Sequence, residues 1–163
     1  MYDLSAATTV DIPELLALQE ENQISRGGAL SIEFSAEWFG KVMEKMPIVI
    51  ARRSGRLVGY LVSSTPESTK DYALGQAKFA AYPAKIRAYN SGPLCIDASE
   101  RGQGLAERLF DMQRSLLPGR EGLAFIRRDN AASRAAHAKY GFREVAEFSH
   151  DGVDYLVAAR TAV

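Results

Sequence analysis

Cysteine is almost absent from this chain, with Cys95 as the sole example among 163 residues. One thiol cannot form an internal disulfide or supply a cysteine-rich metal cluster, so we expect a core held by apolar packing and no metal site. Long apolar runs are also absent, because none approaches the ~18 residues that a membrane-spanning helix requires. The first residues lack a basic segment followed by an apolar one, so no signal peptide is expected. Together these absences predict a cytoplasmic protein.

Neither sign of charge dominates the sequence. Twenty lysine and arginine residues balance twenty aspartate and glutamate residues, which gives a net charge of zero. A surface that binds nucleic acid normally carries a basic excess, so we expect neither nucleic acid nor a membrane as a partner. A length of 163 residues with 47% hydrophobic content predicts a single domain, residues 1–163, present as a monomer or a homodimer.

Hydrophobic periodicity and turn residues predict a strand, two helices, a hairpin, two strand–helix units and a final hairpin. Antiparallel hairpins around a βαβ unit predict a mixed, mostly antiparallel sheet of the α/β (α+β) class, with helices on both faces. The predicted elements are a strand at 2–7, helices at 12–23 and between Ser35 and Pro47, a hairpin of 48–51 with 57–63, strands at 94–96 and 123–126, helices from Leu105 to Pro118 and at 131–140, and a hairpin of 143–149 with 153–159.

Two helix starts carry local signals. Asp11 is expected to cap the first helix, with Pro13 in its first turn. Ser35 is expected to cap the second, with Phe34 and Phe39 placed to pack together as a hydrophobic staple.

The stretch 66–91 is the least defined part of the sequence. It contains Tyr72, Phe79, Tyr82 and Tyr89, and a proline at position 83 interrupts any helix there. Because long connections in compact domains are usually functional or mobile, we interpret this stretch as helical turns that cover a cleft.

A glycine-containing turn follows the apolar strand at 94–96. Its sequence, Arg101-Gly-Gln-Gly-Leu-Ala106, leads into the amphipathic helix that begins at Leu105. Gly102 and Gly104 let the backbone approach an anion, and Arg101 can flank it. A helix N-terminus offers unpaired N–H groups and the positive end of the helix dipole, so the turn predicts a phosphate site. A plain turn that opens a helix is the alternative.

A second polar motif opens the alanine-rich helix at 131–140. On a helix of 3.6 residues per turn, Asn130, Ser133, Arg134 and His137 fall on one stripe. A polar stripe on an alanine-lined helix suits a side that faces a ligand. Gly141 is placed to end this helix.

These two motifs together resemble the acetyl-CoA-binding core of the GNAT superfamily of N-acetyltransferases. Residues 96–106 resemble its phosphate-binding motif, and residues 130–142 resemble its Asn-x-x-Ser/Ala…Gly-Phe motif. The order of elements agrees over essentially the whole chain. The resemblance implies a sheet splayed between the strands that end near Ile96 and Ile126.

The resemblance implies acetyl-CoA as co-substrate, with no metal. Its pantetheine arm would pair with the backbone near 96–98, its pyrophosphate would lie on the amides of 102–106, and Asn130 would bind its pantetheine end. The residues implied to contact the cofactor are Ile96, Asp97, Ala98, Arg101, Gly102, Gln103, Gly104, Leu105, Ala106, Asn130, Ser133 and His137.

The chain departs from the commonest family pattern at one position. Many members carry a tyrosine seven residues after the asparagine, where it protonates the leaving thiolate, whereas this chain carries His137. His137 is therefore the expected titrating group, either as the acid or by ordering a water. A histidine that holds a neighbouring carbonyl and Tyr140 as the acid are the alternatives.

Three further residues are candidates for a chemical role. The resemblance implies a carboxylate as the catalytic base toward the amine; Asp97 and Glu33 are the candidates, neither stands out, and Asp97 could equally be a surface residue at a strand end. Cys95 could carry an acyl group, but its apolar neighbours favour a buried, unreactive thiol.

The function implied is direct transfer of an acetyl group from acetyl-CoA to a primary amine, on a small molecule or a peptide N-terminus. Two other classes remain open, a non-catalytic acyl-CoA-binding or regulatory module and a nucleotide-phosphate site. Whether the acyl group is acetyl or longer is open as well.

Overall fold

The computed structural model describes residues 1–28, 30, 32–69 and 73–161. Seven strands and five α-helices are present among them, with short 3-10 turns between. Their bounds are β1 Asp3–Ala6, α1 Ile12–Glu21, α2 Ala36–Met43, β2 Ile48–Arg53, β3 Arg56–Ser64, α3 Ala73–Ala81, β4 Tyr89–Ile96, α4 Leu105–Leu116, β5 Gly122–Arg127, α5 Ala131–Lys139, β6 Arg143–His150 and β7 Val153–Arg160.

The strands form one sheet in the order β1-β2-β3-β4-β5-β7-β6. The pairs β1–β2, β2–β3, β5–β7 and β6–β7 are antiparallel, whereas β4 and β5 run parallel. The prediction of a mixed, mostly antiparallel sheet with a βαβ centre is therefore confirmed.

The chain divides into two compact units. The first comprises residues 1–64 and 92–116, and the second comprises residues 65–91 and 117–163. Strand β4 contributes its first three residues to the second unit and the rest to the first. The expectation of one domain over residues 1–163 stays a prediction.

In the first unit, α1 and α2 bury their apolar faces on β2 and β3. Leu15 from α1, Phe39 from α2 and Tyr60 from β3 are fully buried in one cluster. Ser35 caps α2 as expected, since its Oγ accepts from the Trp38 amide at 3.1 Å. The Phe34 ring lies edge-on to Phe39, with 6.2 Å between centroids, which confirms the predicted staple.

Helix α4 packs on the same unit's sheet at a glycine. A Cβ added to Gly59 of β3 would lie 3.1 Å from the Leu105 side chain and 3.4 Å from that of Leu109. Both leucines are buried at the start of α4. This close contact fixes where α4 begins, and so where its N-terminus is presented.

In the second unit, α3 covers part of the sheet formed by β5, β7 and β6. Leu123, Val157 and Ala159 are buried there, and Phe79 and Tyr82 pack against them. The helix that the sequence left undefined thus forms an apolar layer on this unit's sheet. Tyr72 lies outside the described residues.

The parallel pairing of β4 with β5 consists of two residue pairs, Tyr89 with Gly122 and Asn90 with Leu123. Both strands continue beyond Asn90 and Leu123. The parallel pairing that the βαβ unit predicted is thus present.

Two local predictions were wrong. Asp11 stands at the N-cap position of α1, but its side chain does not cap that helix. Its Oδ2 instead accepts from the Thr8 amide at 2.8 Å, and its Oδ1 lies 2.6 Å from Nη2 of Arg52. The central strand begins at Tyr89 rather than at Leu94, so the end of the 66–91 stretch is strand.

No helix among the described residues is long and apolar enough to cross a membrane.

The β4–β5 pairing supplies a test of the packing. In Gly122→Ala, the new Cβ would lie 2.7 Å from the hydroxyl of Tyr89, whose rigid ring is 1% exposed. We expect a loss of about 1–3 kcal/mol in the free energy of unfolding because an overpacked core must shift.

Gly40→Ala is the matched control. Gly40 lies in the middle of α2, and the atom nearest to an added Cβ would be 4.0 Å away. We therefore expect the free energy of unfolding to rise by up to about 1 kcal/mol, because alanine has the higher helix propensity. Urea denaturation measures both changes, and equal effects of the two substitutions would contradict this packing.

Candidate functional site

The glycine turn presents its backbone to solvent. Residues 101–104 are exposed between a 3-10 turn, Ala98–Glu100, and α4. Gly102 and Gly104 have φ of 75° and 80°, the left-handed region in which a side chain is strained. A Cβ at either position would meet no heavy atom within 4 Å. The start of α4 is therefore open to solvent, and its first amides lack partners within the helix.

Asp97 holds the strand end that leads into this turn. Its Oδ1 accepts from the Ser99 amide at 2.9 Å and from the Ser99 hydroxyl at 2.7 Å. Its Oδ2 pairs with Arg56 at 2.9 Å. Hydrogen bonds from Ser99, followed by Arg56, keep the pKa of Asp97 below its ordinary value despite partial burial. The carboxylate is thus ionised, and it acts as a cap.

A buried carboxylate anchors the next residues. Glu100 accepts from the hydroxyl of Tyr2 at 2.6 Å, and Nε of Arg53 lies 3.1 Å from the same oxygen. The Arg53 guanidinium stacks over the Tyr2 ring at 4.5 Å and donates to Oε1 of Gln103 at 3.2 Å. Gln103 in turn donates to the carbonyl of Ser99 at 3.2 Å. The side chains of Tyr2, directly before β1, and of Arg53 in β2 therefore hold the turn on one side.

Arg101 is anchored as well. Its Nη2 donates to Oδ1 of Asn22 at 2.7 Å, directly after α1. Asn22 is 6% exposed and donates through Nδ2 to the Leu18 carbonyl at 2.8 Å. The predicted role of Arg101 beside an anion stays a prediction, since its described contact ties the turn to α1.

The second motif folds as its sequence indicates. Asn130 caps α5, because its Oδ1 accepts from the Ser133 amide at 3.0 Å. Gly141 ends the helix with φ of 90°, as predicted. Arg134 projects from the helix to Glu144, with Nε 2.9 Å from Oε1.

His137 is half-buried on this helix. Its Nδ1 lies 2.8 Å from the carbonyl of Ser133 and 3.3 Å from the Ser133 hydroxyl. A carbonyl only accepts, so Nδ1 carries the proton that it donates to Ser133. The ring meets Phe142 edge-on at 5.1 Å. Burial lowers the pKa of His137, while the bond to Ser133 partly opposes the shift.

The other sequence candidates occupy different settings. Cys95 is 3% exposed, and its Sγ lies 3.8 Å from the Leu18 carbonyl. Burial raises the pKa of this thiol to about 12, as expected for an unreactive cysteine. Tyr140 ends α5, where its carbonyl lies 3.4 Å from Nη1 of Arg160. Glu33 is exposed.

The predicted cofactor contacts fall into two groups. The first unit brings residues 96–106 together around the turn, and the second brings Asn130, Ser133 and His137 together on α5. The open glycine positions and the helix N-terminus fit a pyrophosphate, since both give close access to backbone donors. Among the described residues, no group of three or more potential metal ligands is present.

Sequence reasoning missed two features of these units. One is the set of anchors around the turn, in which Tyr2 and Glu100 are 98 positions apart. The other is Lys78, a lysine of α3 that is 3% exposed. Neither has a local signal in the sequence. The anchors join residues that are far apart in the chain, and a lysine in a helix normally predicts a solvent-exposed position.

No family model and no curated relative matches this chain. Solved structures do match it. The ribosomal-protein-S18-alanine N-acetyltransferase of Escherichia coli has 17% identity and a TM-score of 0.69, covering 99% of this chain and 94% of its own. The protein yncA of Salmonella typhimurium, solved with its cofactor acetyl-CoA, has 15% identity and a TM-score of 0.69, with coverage of 99% and 94%.

A third structure, a GNAT-family acetyltransferase of Streptococcus agalactiae, has 16% identity and a TM-score of 0.74, covering 99% of this chain and 96% of its own. Identities this low carry the fold and not the substrate. The chain has the fold of the GNAT N-acetyltransferases.

Proposed function

We infer that this protein transfers an acetyl group from acetyl-CoA to a primary amine. The observation that carries the inference is the open turn at Gly102 and Gly104, which exposes the first amides of α4 and is held by side chains on both flanks. Rigid backbone donors suit a pyrophosphate because they need no reorganisation on binding.

Each motif has a part in holding the cofactor. The amides of residues 102–106 would bind the pyrophosphate, and the backbone of residues 96–98 would pair with the pantetheine arm. Asn130 uses Oδ1 to cap α5, so its Nδ2 is the group that can donate to a pantetheine carbonyl. Ser133 and His137 lie about one and about two helical turns further along the same stripe.

Acetyl-CoA supplies an activated thioester, and the residues of this chain would hold the thioester and the amine in position. Direct attack by the amine fits the state of Cys95, because a thiol with a pKa of about 12 is protonated at neutral pH and cannot carry the acyl group. Holding the amine against the thioester would provide most of the rate enhancement.

The geometry of His137 supports one of its two candidate roles. With Nδ1–H bonded to Ser133 and a lowered pKa, the neutral ring presents Nε2 as an acceptor. A neutral imidazole of this tautomer cannot donate from Nε2, so it suits ordering a water or accepting a proton. Protonation of the leaving thiolate would then fall to that water.

Asp97 is poorly suited to be the base. Its bonds to Ser99 and Arg56 stabilise the ionised form, and a carboxylate with a lowered pKa is a weak proton acceptor. Its contacts support the structural role at the strand end. The acceptor class that we infer is a primary amine on a small molecule or a peptide N-terminus.

A thiol-release assay with a panel of amines, together with acetyl-CoA-dependent thermal stabilisation, tests the assignment. Stabilisation with turnover supports the enzyme. Stabilisation without turnover on any amine would favour a non-catalytic acyl-CoA-binding module, and stabilisation by ATP but not by CoA would favour a nucleotide site.

The pair Gly104→Asp and Gly104→Asn isolates the effect of a negative charge in the turn. The two side chains have nearly equal size and tolerate positive φ, but only aspartate repels a pyrophosphate. We expect Gly104→Asp to weaken acetyl-CoA binding by at least about tenfold more than Gly104→Asn, measured by calorimetric titration.

The same aspartate would improve the stability of the unliganded protein relative to asparagine, because a negative charge favours a helix N-terminus. Weaker binding with equal or higher stability separates an anion site from simple unfolding. Equal affinities in the two variants would contradict the phosphate assignment.

His137→Gln tests the titrating group. We expect kcat to fall by about 10–100-fold with little change in the KM for acetyl-CoA, as for loss of a proton-transfer group. Because burial lowers its pKa, His137 is neutral at pH 7, and activity should decline only at a pH below its ordinary value of 6.5.

The decline in activity at acidic pH, the acid limb of the pH–rate profile, should disappear in His137→Gln. His150→Gln is the control, since it removes the other histidine, on β6, and should leave the limb in place. A limb unchanged in His137→Gln would remove His137 from the chemistry.

A further inference from the structure

Arg160, the last residue of β7, is a buried arginine. It is 3% exposed, whereas arginines normally keep the guanidinium in water. A guanidinium is not deprotonated in proteins, so this side chain is charged at every pH at which the protein is folded. The second unit therefore contains a fixed positive charge, which acts on any titratable group close to it.

The guanidinium lies at the C-terminal end of α5. Its Nη1 is 3.4 Å from the carbonyl oxygen of Tyr140, the C-cap of that helix, and its Cζ is 5.1 Å from the centre of the Phe142 ring. The last carbonyls of a helix form the negative end of its dipole, and an aromatic face attracts a cation. Arg160 thus occupies the place at this helix end where a positive charge is favoured.

His137 belongs to the same end of α5. Its backbone carbonyl accepts from the amides of Tyr140 at 3.1 Å and Phe142 at 2.9 Å, and its ring meets the Phe142 ring edge-on at 5.1 Å. The Phe142 ring is therefore in contact with both groups. Since each of them is 5.1 Å from its centre, the guanidinium carbon and the imidazole centre are at most twice that distance apart.

Opposing effects decide the charge of this imidazole. Burial disfavours the imidazolium, whereas the bond to the Ser133 carbonyl and a position in the last turn of a helix favour it. The charge of Arg160 acts in the same direction as burial, because two like charges repel each other strongly where water is excluded. The pKa of His137 is lowered on balance, with burial as the largest cause and Arg160 as a further one.

The other charged groups beside His137 lie nearer to solvent. Arg134 on the same helix pairs with Glu144 of β6, with Nε 2.9 Å from Oε1, and Lys139 is exposed. Water and salt screen exposed charges, and the Glu144 carboxylate offsets that of Arg134. Arg160 is the buried charge of this group, so its effect on the imidazole is screened least.

We propose that Arg160 is a positioning residue for His137, which keeps the imidazole neutral with its proton on Nδ1. The inference deepens the proposed function and rests on it, because a neutral ring is what lets His137 order a water or accept a proton during acetyl transfer. Arg160 takes no part in the chemistry itself. Its fixed charge sets the lowest pH at which the neutral ring predominates.

The test is an NMR titration of the full-length protein that follows the imidazole resonances against pH. The chain has two histidines, so His150→Gln assigns the resonances, and His150 serves as the internal reference. In the unmodified protein, the titration midpoint of His137 should lie below its ordinary value of 6.5. In Arg160→Gln, which keeps a donor for the Tyr140 carbonyl, the midpoint should rise by about 0.5–1 pH unit because a like charge is removed.

Three further variants separate charge from structure. Arg160→Met is a second neutral variant, and its apolar side chain would lower the midpoint if burial alone mattered, so a rise reports the lost charge. Arg160→Lys keeps the charge and should keep the midpoint close to that of the unmodified protein. Arg143→Met removes an exposed arginine from β6 and should leave the midpoint unchanged. The ring nitrogen shifts show in each variant whether Nδ1 still carries the proton.

The titration also predicts a kinetic effect. A higher midpoint leaves more imidazolium at neutral pH, so the acid limb of the pH–rate profile in Arg160→Gln should move to higher pH by the same amount, with kcat on the alkaline side retained. A structural role alone would lower kcat at every pH. A raised midpoint with an acid limb that does not move would overturn the positioning role.

The remaining outcomes separate this inference from the proposed function. A raised midpoint in a protein that acetylates no amine would support the effect of Arg160 on the imidazole and overturn the proposed function alone. A midpoint of 6.5 or more in the unmodified protein, or one that does not rise in either neutral variant, would overturn the inference. A rise with loss of the Nδ1 proton would show a disturbed helix end and would overturn it as well. If one neutral variant fails to fold, the other decides.

Discussion

The open start of α4 is the constraint on which the candidate site depends. Two residues at positive φ present backbone donors to solvent, and that conformation has no core of its own to hold it. Glu100, Arg101 and Gln103 supply the missing support through side-chain bonds to other elements. Each bond contributes about 1 kcal/mol, which offsets part of the entropy cost of fixing the turn, about 1–2 kcal/mol per residue. The proposed anion site therefore depends on contacts across the first unit and not on the turn alone.

This dependence explains what could be predicted from the sequence. Ser35 and Asn130 cap helices by accepting from amides three residues later, and Gly141 ends a helix at positive φ. All three roles depend on neighbouring residues, so the local sequence predicts them. Asp11 has an equally good local signal, yet its carboxylate binds Arg52, 41 positions away. The Thr8 amide and Arg52 engage the two carboxylate oxygens of Asp11, and the local pattern that predicts a cap does not reveal the distant arginine.

The stretch 66–91 was predicted only as helical turns, without bounds for a helix, for a related reason. Its helix α3 has a weakly amphipathic sequence, because a lysine occupies a buried position where the periodic pattern requires an apolar residue. Periodicity treats Lys78 as a solvent-facing residue, and nothing local identifies Asn90, whose Oδ1 accepts from Nζ at 2.6 Å, as its partner. A lysine at a buried position therefore weakens the periodic pattern from which the helix would be predicted.

Three titratable groups bear on how an acceptor amine loses its proton. Bonds keep Asp97 ionised, whereas burial shifts His137 and Lys78 toward their neutral forms. Nζ of Lys78 lies 4.7 Å from the centre of the Phe79 ring and 5.6 Å from that of Phe125. Desolvation between aromatic rings acts on any amine, so an acceptor held in surroundings like those of Lys78 would also shift toward the neutral form. A pKa lowered from 10.5 to about 7 raises the neutral fraction at pH 7 by about a thousandfold. Under the proposed function, desolvation of the acceptor would supply the activation that a carboxylate base would otherwise provide, which agrees with the role of Asp97 as a cap.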